Sequence, residues 1–312
     1  MIVCFYHKSD FDGKGSAASV FFSDLALEHG PIKLIGKDHP EQFHPEEIEG
    51  ADYVVLVDYS FRPEKMLALS RIFNDRFIWI DHHKSAIEAS KAYSYQTTPG
   101  LRNTEYAACE LSWLYFFGQA NYPSQMPKGI KAMGRRDIWD LENKEFEPGE
   151  ILTFHYGAEA YLSWGSDPNP LDKLADKARW SDLLHDQAGT EAYQDILQAG
   201  KIAEQYATNV NSAMIESTAF LLKWEGLTFL AANIFSVSSQ VFDLHPKAKE
   251  VDGFMNFGWD PVSKSWKVTL KNSPDNPVIL LPIAQKYGGG GHPHACGFHL
   301  DSLDFLSTKK DR

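Results

Sequence analysis

The stretch FIWIDHH, residues 77–83, decides how this sequence is interpreted. Its first four residues are β-branched or aromatic and predict a short strand. The strand then ends directly in one carboxylate and two imidazoles. Ligands of open α/β sheets bind outside the carboxyl ends of the strands, so the polar residues that follow this strand are candidates for a functional site.

The same arrangement occurs twice more towards the N-terminus. The almost continuously apolar segment Tyr53–Val57 predicts a strand that ends in Asp58. Residues 2–6 predict another, which is followed by His7, Asp10 and Asp12. Because parallel strands end at one edge of a sheet, we expect these side chains to converge in a single crevice.

Helical patterns separate the strands along the chain. The sequence predicts helices over Gly15–His29, Pro63–Phe73 and Glu105–Phe117, the last capped by Asn103 or Thr104, and a further strand over residues 32–35. Strands that alternate with helices are typical of a parallel sheet. We therefore predict an α/β fold whose N-terminal domain has a parallel sheet with helices on both faces.

The second half of the chain has a different pattern. Glu191–Met214 predicts one long helix, and strands are predicted at residues 227–234, 253–259 and 266–271. We predict a catalytic domain over residues 1–185, a helical connector over 186–219, and a smaller C-terminal α+β domain over 220–312.

Carboxylates and imidazoles that converge without cations would repel one another and lose solvation, and divalent metal removes that conflict. Oxygen and nitrogen ligands without a thiolate suit Mn²⁺, with Mg²⁺ or Co²⁺ as alternatives. Two cations about 3.5–4 Å apart, bridged by a carboxylate, form the usual clamp for in-line displacement at phosphorus.

Composition limits the partners. Thirty Lys and Arg residues against 42 Asp and Glu give a net charge of −12, which disfavours long DNA or RNA because its binding needs a basic surface. No stretch approaches the roughly 18 apolar residues of a membrane helix, and the first residues do not resemble a secretory signal. We therefore expect a cytoplasmic protein that binds no membrane, as a monomer or homodimer.

Four motifs, in this order, resemble the DHH phosphoesterase superfamily. They are the upstream H-x-x-D-x-D-G at residues 7–13, the strand-end Asp58, the DHH triplet at residues 81–83, and the glycine-rich run GGGGHPHACGF at residues 288–298. The last is similar to the signature of the DHHA1 subfamily, which includes oligoribonucleases of the nano-RNase type and exopolyphosphatase relatives. The resemblance spans nearly the whole chain.

The resemblance implies two metal ions and a set of site residues. One metal would take His7, Asp10 and Asp58. The other would take Asp12, Asp58 as a bridge, His82 and Asp137, with Asp140 as the rival to Asp137. In addition, His83 would contact the phosphate, and Asp81 would orient neighbouring histidines.

Further residues are candidates for substrate binding. Four glycines let backbone amides approach an anion closely, and a histidine directly after them adds a donor. Two neighbouring arginines are candidates to hold a phosphate or stack on a base, and Trp139, close behind them, is a candidate core residue. The predicted substrate-binding residues are Arg135, Arg136, Lys271, Gly289, Gly290, Gly291 and His292.

Two departures from the superfamily pattern are visible. Many members have three residues between the first His and Asp, whereas Lys8 and Ser9 give only two here. Many also carry an Arg-Ser pair before the glycine motif, where this chain has Lys271, a point charge without the planar fork of arginine.

We expect a Mn²⁺-dependent phosphodiesterase that hydrolyses short oligoribonucleotides, especially linear dinucleotides, to mononucleotides with a water activated by two metals. The alternatives are a phosphatase of 3'-phosphoadenosine 5'-phosphate, a cyclic dinucleotide phosphodiesterase, and a non-enzymatic RNA-binding module. The last predicts a lost metal set, whereas nearly every ligand position is filled here.

Overall fold

A computed structural model describes residues 1–38, 41, 43–118, 125–162, 171, 174–186, 189, 191–235, 239–273 and 275–307. The chain forms two compact units, Met1–Glu204 and Gln205–Arg312. The division falls within a long helix that spans Ala192–Thr218. The domain limits expected from the sequence remain predictions.

The first unit is built on a parallel sheet of four strands in the order β2-β1-β3-β4. The strands are β1 (Ile2–His7), β2 (Ile32–Lys37), β3 (Tyr53–Val57) and β4 (Phe77–Ile80). The central strand β1 pairs with β2 and β3, so that Ile2 lies between Ile32 and Tyr53. Every strand runs in the same direction, and all four carboxyl ends lie at one edge.

Helices cover this sheet on both faces. Successive side chains of its strands point to opposite sides, and both sides are apolar and must be buried. On one face, Cys4 and Val55 lie in a core that includes residues of α1 and α5. On the other, Val3 and Val54 pack with residues of α3. The helices are α1 (Phe11–Phe21), α2 (Asp24–His29), α3 (Pro63–Phe73), α4 (Lys84–Ser90), α5 (Ala108–Phe116), α6 (Lys128–Asp137), α7 (Glu150–Tyr161), α8 (Leu174–His185) and α9 (Ala192–Thr218).

The structure corrects two helix boundaries. The helix predicted over Gly15–His29 is broken into α1 and α2, because Ser23 adopts an extended conformation and its hydroxyl caps the second helix. The helix predicted from residue 105 begins at Ala108 instead, so neither Asn103 nor Thr104 is its cap.

The second unit contains a mixed sheet of six strands in the order β5-β6-β7-β8-β10-β9. Its elements are β5 (Phe220–Trp224), β6 (Leu227–Asn233), β7 (Gly253–Asp260), β8 (Ser265–Asn272), α10 (Leu281–Lys286), β9 (Gly290–His292) and β10 (Ala295–Leu300). Among the strand pairs of this sheet in the described residues, β6 and β7 are parallel and the other four pairs are antiparallel. The predicted fold class, a parallel-sheet domain followed by a smaller α+β domain, is confirmed.

Short 3-10 helices connect several of these elements, at Pro45–Ile48, Asn74–Arg76, Ser94–Thr97, Ser239–Leu244, Ala248–Glu250 and Asp304–Ser307. Among the helices in the described parts of the chain, none combines the length and the apolar character needed to cross a membrane.

Two glycines let α7 and α9 approach to backbone contact. A Cβ atom on Gly157 would lie 1.9 Å from the carbonyl oxygen of Ile196, and one on Gly200 would lie 1.9 Å from that of Thr153. Neither contact can be relieved by a side-chain rotation, because the obstructing atoms belong to the backbone. The close packing of α7 against α9 therefore requires glycine at both positions.

Replacing Gly200 by Ala tests this contact, because the sign of the change in the free energy of unfolding shows whether the helices are in close contact. Alanine would favour an isolated helix by about 1 kcal/mol, but the overpacked crossing would cost more. We expect the free energy of unfolding to fall by about 2 kcal/mol in denaturant titrations. The exposed neighbour Lys201→Ala serves as the control and should change it by less than about 0.5 kcal/mol. A stabilised Gly200→Ala protein would contradict the close crossing.

Candidate metal centre

The first group of candidate ligands surrounds the end of β1. The Nδ1 atom of His7 lies 3.0 Å from Oδ2 of Asp10 and 3.6 Å from Oδ2 of Asp58. Asp10 also caps α1, since its Oδ1 accepts a hydrogen bond from the Gly13 amide at 3.1 Å. The two-residue spacing between His7 and Asp10 therefore brings both side chains together.

A second group surrounds His82, which comes directly after Asp81 at the end of β4 (Phe77–Ile80). Its Nε2 atom lies 3.5 Å from Oδ2 of Asp12, 3.4 Å from Oδ1 of Asp58 and 3.5 Å from Oδ2 of Asp137. Asp58 thus faces His7 with one oxygen and His82 with the other. Its carboxylate is the element common to both groups.

The residues present fit a pair of divalent cations. In three sets one candidate ligand atom from each residue lies within 4.8 Å of the others, and the sets are His7-Asp10-Asp58, Asp12-His82-Asp137 and Asp58-His82-His83. Asp58 is 1% exposed, yet its Oδ1 atom has no hydrogen-bond partner among the described residues. A buried carboxylate oxygen without a donor requires compensation, which a cation would supply.

Asp12 is held by the beginning of α5. Its Oδ1 accepts a hydrogen bond from the Cys109 amide at 2.6 Å, and its Oδ2 accepts one from the Ala108 amide at 3.0 Å. These amides belong to the first turn of the helix, where backbone donors have no partner within the helix. A residue 96 positions away therefore caps α5, which explains why the local prediction of its cap was wrong.

Gly13 permits the tight approach of α1 to β1. A Cβ atom at this position would lie 1.9 Å from the carbonyl oxygen of His7. Any side chain there would push the helix away from the strand end. The glycine of the D-x-D-G motif thus keeps His7 and Asp10 within contact distance.

Asp81 orients the second histidine of the DHH triplet. Its Oδ1 accepts hydrogen bonds from the His83 amide at 2.9 Å and from Nδ1 of the same residue at 2.8 Å. Its Oδ2 accepts one from the Ser60 hydroxyl, which in turn accepts the indole N–H of Trp79. Asp81 is fully buried, and these donors compensate its charge.

Sequence reasoning missed Ser60 and Asp38. Ser60 completes the hydrogen bonds of Asp81, and Oδ1 of Asp38 lies 3.4 Å from Nε2 of His7. Asp38 directly follows β2, so it has the same strand-end position as the residues that were found. The sequence therefore contained a signal for Asp38. It was missed because the strand was predicted to end at residue 35, two residues too early.

The end of α6 distinguishes between the two candidates for the last ligand. Asp137 faces His82, whereas Asp140 accepts hydrogen bonds from Arg135 at 3.4 Å and Asn143 at 2.7 Å. Arg135 also forms a buried ion pair with Glu110. The structure therefore brings Asp137, and not Asp140, to the cluster.

The remaining predicted substrate residues fall into two places. Arg135 lines a cavity of about 460 Å³ together with Tyr106 and Lys131, and the guanidinium of Arg136 lies over a tryptophan ring. In the second unit, the glycine-rich run continues into β9, an edge strand that begins at Gly290 and ends at His292. The predicted residues of that unit lie on β8 (Lys271) and at or just before β9 (Gly289, Gly290, Gly291 and His292).

The electrostatics of the metal-free cluster favour bound protons. The hydrogen bond to Asp10, supported by Asp58, raises the pKa of His7 to about 10. Burial raises the pKa of Asp12 well above its usual range and that of Asp137 to about 6. The hydrogen bond to Asp81 raises the pKa of His83 to about 9. Metal and protons therefore compete for this site.

Asp58→Asn tests the buried bridge. Asp58 has a φ of +54°, a conformation that asparagine tolerates well, and the substitution removes a buried charge. We expect the increase in Tm on adding Mn²⁺ to disappear, because an amide replaces the charged carboxylate that both groups share. Thermal unfolding with and without Mn²⁺ measures this effect.

The exposed Asp75→Asn is the matched control and should keep the Mn²⁺ response of the original protein. A full Mn²⁺ response in Asp58→Asn would contradict the bridging position of this carboxylate.

Proton release tests the competition between metal and protons. His7 holds a proton at pH 7–8 in the metal-free protein because its pKa is about 10, and it must lose this proton to bind a cation. We expect Mn²⁺ binding to release about one proton or more and to strengthen as the pH rises from about 6 to 9. Calorimetry in PIPES and Tris, whose ionisation enthalpies differ, measures the number of protons. Identical heats in both buffers would contradict the assigned role of His7.

Comparisons with known proteins support the fold. No protein-family model matches the chain, and neither does any curated protein. A solved structure of a DHH domain, from a protein described as belonging to a family of ribosomal proteins, is 12% identical with a TM-score of 0.56, over 98% of this chain and 84% of that chain.

Two further solved structures are similar over almost the full chain. The pGpG-specific phosphodiesterase PggH from Vibrio cholerae is 12% identical with a TM-score of 0.48, over 99% of this chain and 96% of its own. The exonuclease RecJ bound to manganese is 14% identical with a TM-score of 0.46, over 98% and 87%. The likeness to the DHH-domain structure extends over 98% of this chain, and the chain therefore has the DHH-domain fold that its motifs predict.

Proposed function

We propose that this protein is a metal-dependent phosphodiesterase that hydrolyses short oligoribonucleotides, above all linear dinucleotides, to mononucleotides. The observation that carries the proposal is the buried Asp58 carboxylate. It faces His7 with Oδ2 and both His82 and His83 with Oδ1, and Oδ1 has no hydrogen-bond partner among the described residues. A carboxylate in this position is suited to bridge two cations.

Two sets of residues would hold the metal ions, with Mn²⁺ favoured and Mg²⁺ or Co²⁺ as alternatives. When bound, such a pair supplies an activated water and neutralises charge that develops on a phosphate. The first set is His7, Asp10 and Asp58, and the second is Asp12, Asp58, His82 and Asp137.

His83 would act on the substrate rather than on a metal. Its Nδ1 is bound to Asp81, which fixes the ring, and its raised pKa of about 9 keeps it protonated at neutral pH. A protonated imidazole can donate to a phosphate oxygen and stabilise the charge of the transition state. A cavity of about 270 Å³ borders His83 and Asp81 and leaves room for part of a small substrate.

The proposed substrate is short for an electrostatic reason. The net charge of −12 opposes the tracking of a long polyanion, whereas one or two phosphates can be held by local contacts. Of the predicted substrate-binding residues in the first unit, we keep Arg136. The assignment of Lys271 and of the glycine run with His292, in the second unit, to phosphate binding stays a prediction. Arg135 is less suited, because Glu110 already neutralises it.

A hydrolysis assay tests this function. With Mn²⁺, the protein should release mononucleotides from a 5'-phosphorylated RNA dinucleotide. Asp58→Ala should abolish turnover, and His83→Gln should lower kcat by about 100- to 1,000-fold because one preorganised donor is lost. Asp75→Asn, at an exposed position before the start of β4, should leave the rates unchanged.

The other substrates of the panel decide between the alternatives. Consumption of a 3',5'-bisphosphate while the dinucleotide survives would identify a phosphatase instead. Preferential cleavage of a cyclic dinucleotide would identify a cyclic dinucleotide phosphodiesterase. If none of these compounds is hydrolysed with Mn²⁺, Mg²⁺ or Co²⁺, the proposal is wrong.

A further inference from the structure

Trp139 occupies a position in the backbone that favours glycine. Helix α6 ends in a Schellman motif: the Asp140 amide donates to the Arg135 carbonyl at 2.9 Å, and the Trp139 amide lies 3.4 Å from the Arg136 carbonyl. The residue between the helix and the reversed chain must adopt a positive φ, and Trp139 has a φ of +60°. Glycine is the usual residue at this point of the motif.

A large aromatic residue there carries an energetic cost, because the Cβ atom crowds the following backbone in this conformation. The cost is not repaid by burial. Trp139 is 58% exposed, whereas Trp79, Trp113 and Trp180 are at most 3% exposed. Its interpretation as a core residue was therefore wrong, and local stability does not explain a tryptophan at this position.

The indole ring already takes part in one stacking contact. The guanidinium of Arg136 lies 4.5 Å from the ring centroid of Trp139. The buried Nε atom of Arg136 has no hydrogen-bond partner among the described residues, so the stacking contact with the indole helps to place this guanidinium. A tryptophan ring backed by a guanidinium is a flat, positively polarised surface, which suits the π-face of a nucleobase.

A candidate ligand of the metal centre closely precedes this surface in the chain. Asp137, two residues before Trp139, lies 3.5 Å from His82 through Oδ2. Just beyond the tryptophan, Asp140 is held by Asn143 and Arg135, and Arg135 is anchored on Glu110. The end of α6 and the two residues after it therefore carry both a candidate ligand carboxylate and an exposed indole.

We infer that Trp139, with Arg136 stacked on it, is a platform that binds the nucleobase of the nucleotide whose phosphate lies at the candidate metal centre. The inference rests on the proposed function, since that function supplies a nucleotide at this site. Recognition by a π-face discriminates little among bases, so the platform should accept purines and, more weakly, pyrimidines.

Paired ligands that differ only in the base test the platform. GMP and ribose 5-phosphate share the sugar and the phosphate, and their Kd values can be measured by calorimetry in the presence of Mn²⁺. The unmodified protein should bind GMP more tightly than ribose 5-phosphate. Trp139→Ala should weaken GMP binding by about 10- to 100-fold and leave the Kd of ribose 5-phosphate within about twofold.

Two companion variants separate stacking from structure. Trp139→Phe should keep GMP binding within about fivefold, because an aromatic face remains. Trp139→Gly should weaken GMP binding as much as the alanine variant while Tm stays equal or rises by a few degrees, roughly 2–4 °C, because the positive φ is relieved. Trp259→Ala is the matched control, because it removes an exposed tryptophan that lies in the second unit. It should change the Kd of neither GMP nor ribose 5-phosphate.

The outcomes distinguish this inference from the function on which it rests. Equal weakening of GMP and ribose 5-phosphate in Trp139→Ala, or no weakening of either, would overturn the platform even if the original protein cleaves dinucleotides. Selective loss of GMP binding in a protein that cleaves no dinucleotide would support the platform and reject the proposed substrate.

Discussion

Buried carboxylates in close proximity are the constraint on which the first unit depends. Asp12, Asp58 and Asp81 are each at most 2% exposed and lie near the same edge of the parallel sheet. A protein can keep such charges out of water only by giving each one donors or a cation. Asp81 is compensated by hydrogen bonds from Ser60 and His83, and Asp12 by two backbone amides. Asp58, with one oxygen lacking any donor among the described residues, is left for a cation.

Two of the candidate ligand carboxylates also stabilise the fold. Asp10 caps the start of α1, and Asp12 caps the start of α5. Helix N-termini carry a partial positive charge that favours carboxylates, so the capping lowers the cost of placing acidic groups side by side. The geometry of the candidate site is consequently set by the helix positions rather than by flexible loops. This arrangement suits a centre that must keep ligand atoms within narrow limits.

The end of α6 shows a different balance between stability and function. Its Schellman motif would be most stable with glycine, yet the chain places an exposed tryptophan there. Strained residues of this kind persist where the surrounding contacts determine the backbone, and here Arg135, Asp140 and Asn143 do so. A base-binding surface would then be preformed, and the substrate would lose less entropy on binding than at a mobile aromatic residue.

Local patterns in the sequence were sufficient for the strands of the parallel sheet, the polar residues that follow β1, β3 and β4, and the fold class, because apolar runs and the alternation of strands with helices are properties of neighbouring residues. The α1–α2 break and the chain reversal at Trp139 involve hydrogen bonds between near neighbours, which the sequence analysis did not anticipate. The first residue of α5 was decided only by tertiary structure, because Asp12 caps this helix from 96 positions away. Such a contact joins residues that become neighbours only when the sheet and its helices have packed, so no local pattern records it.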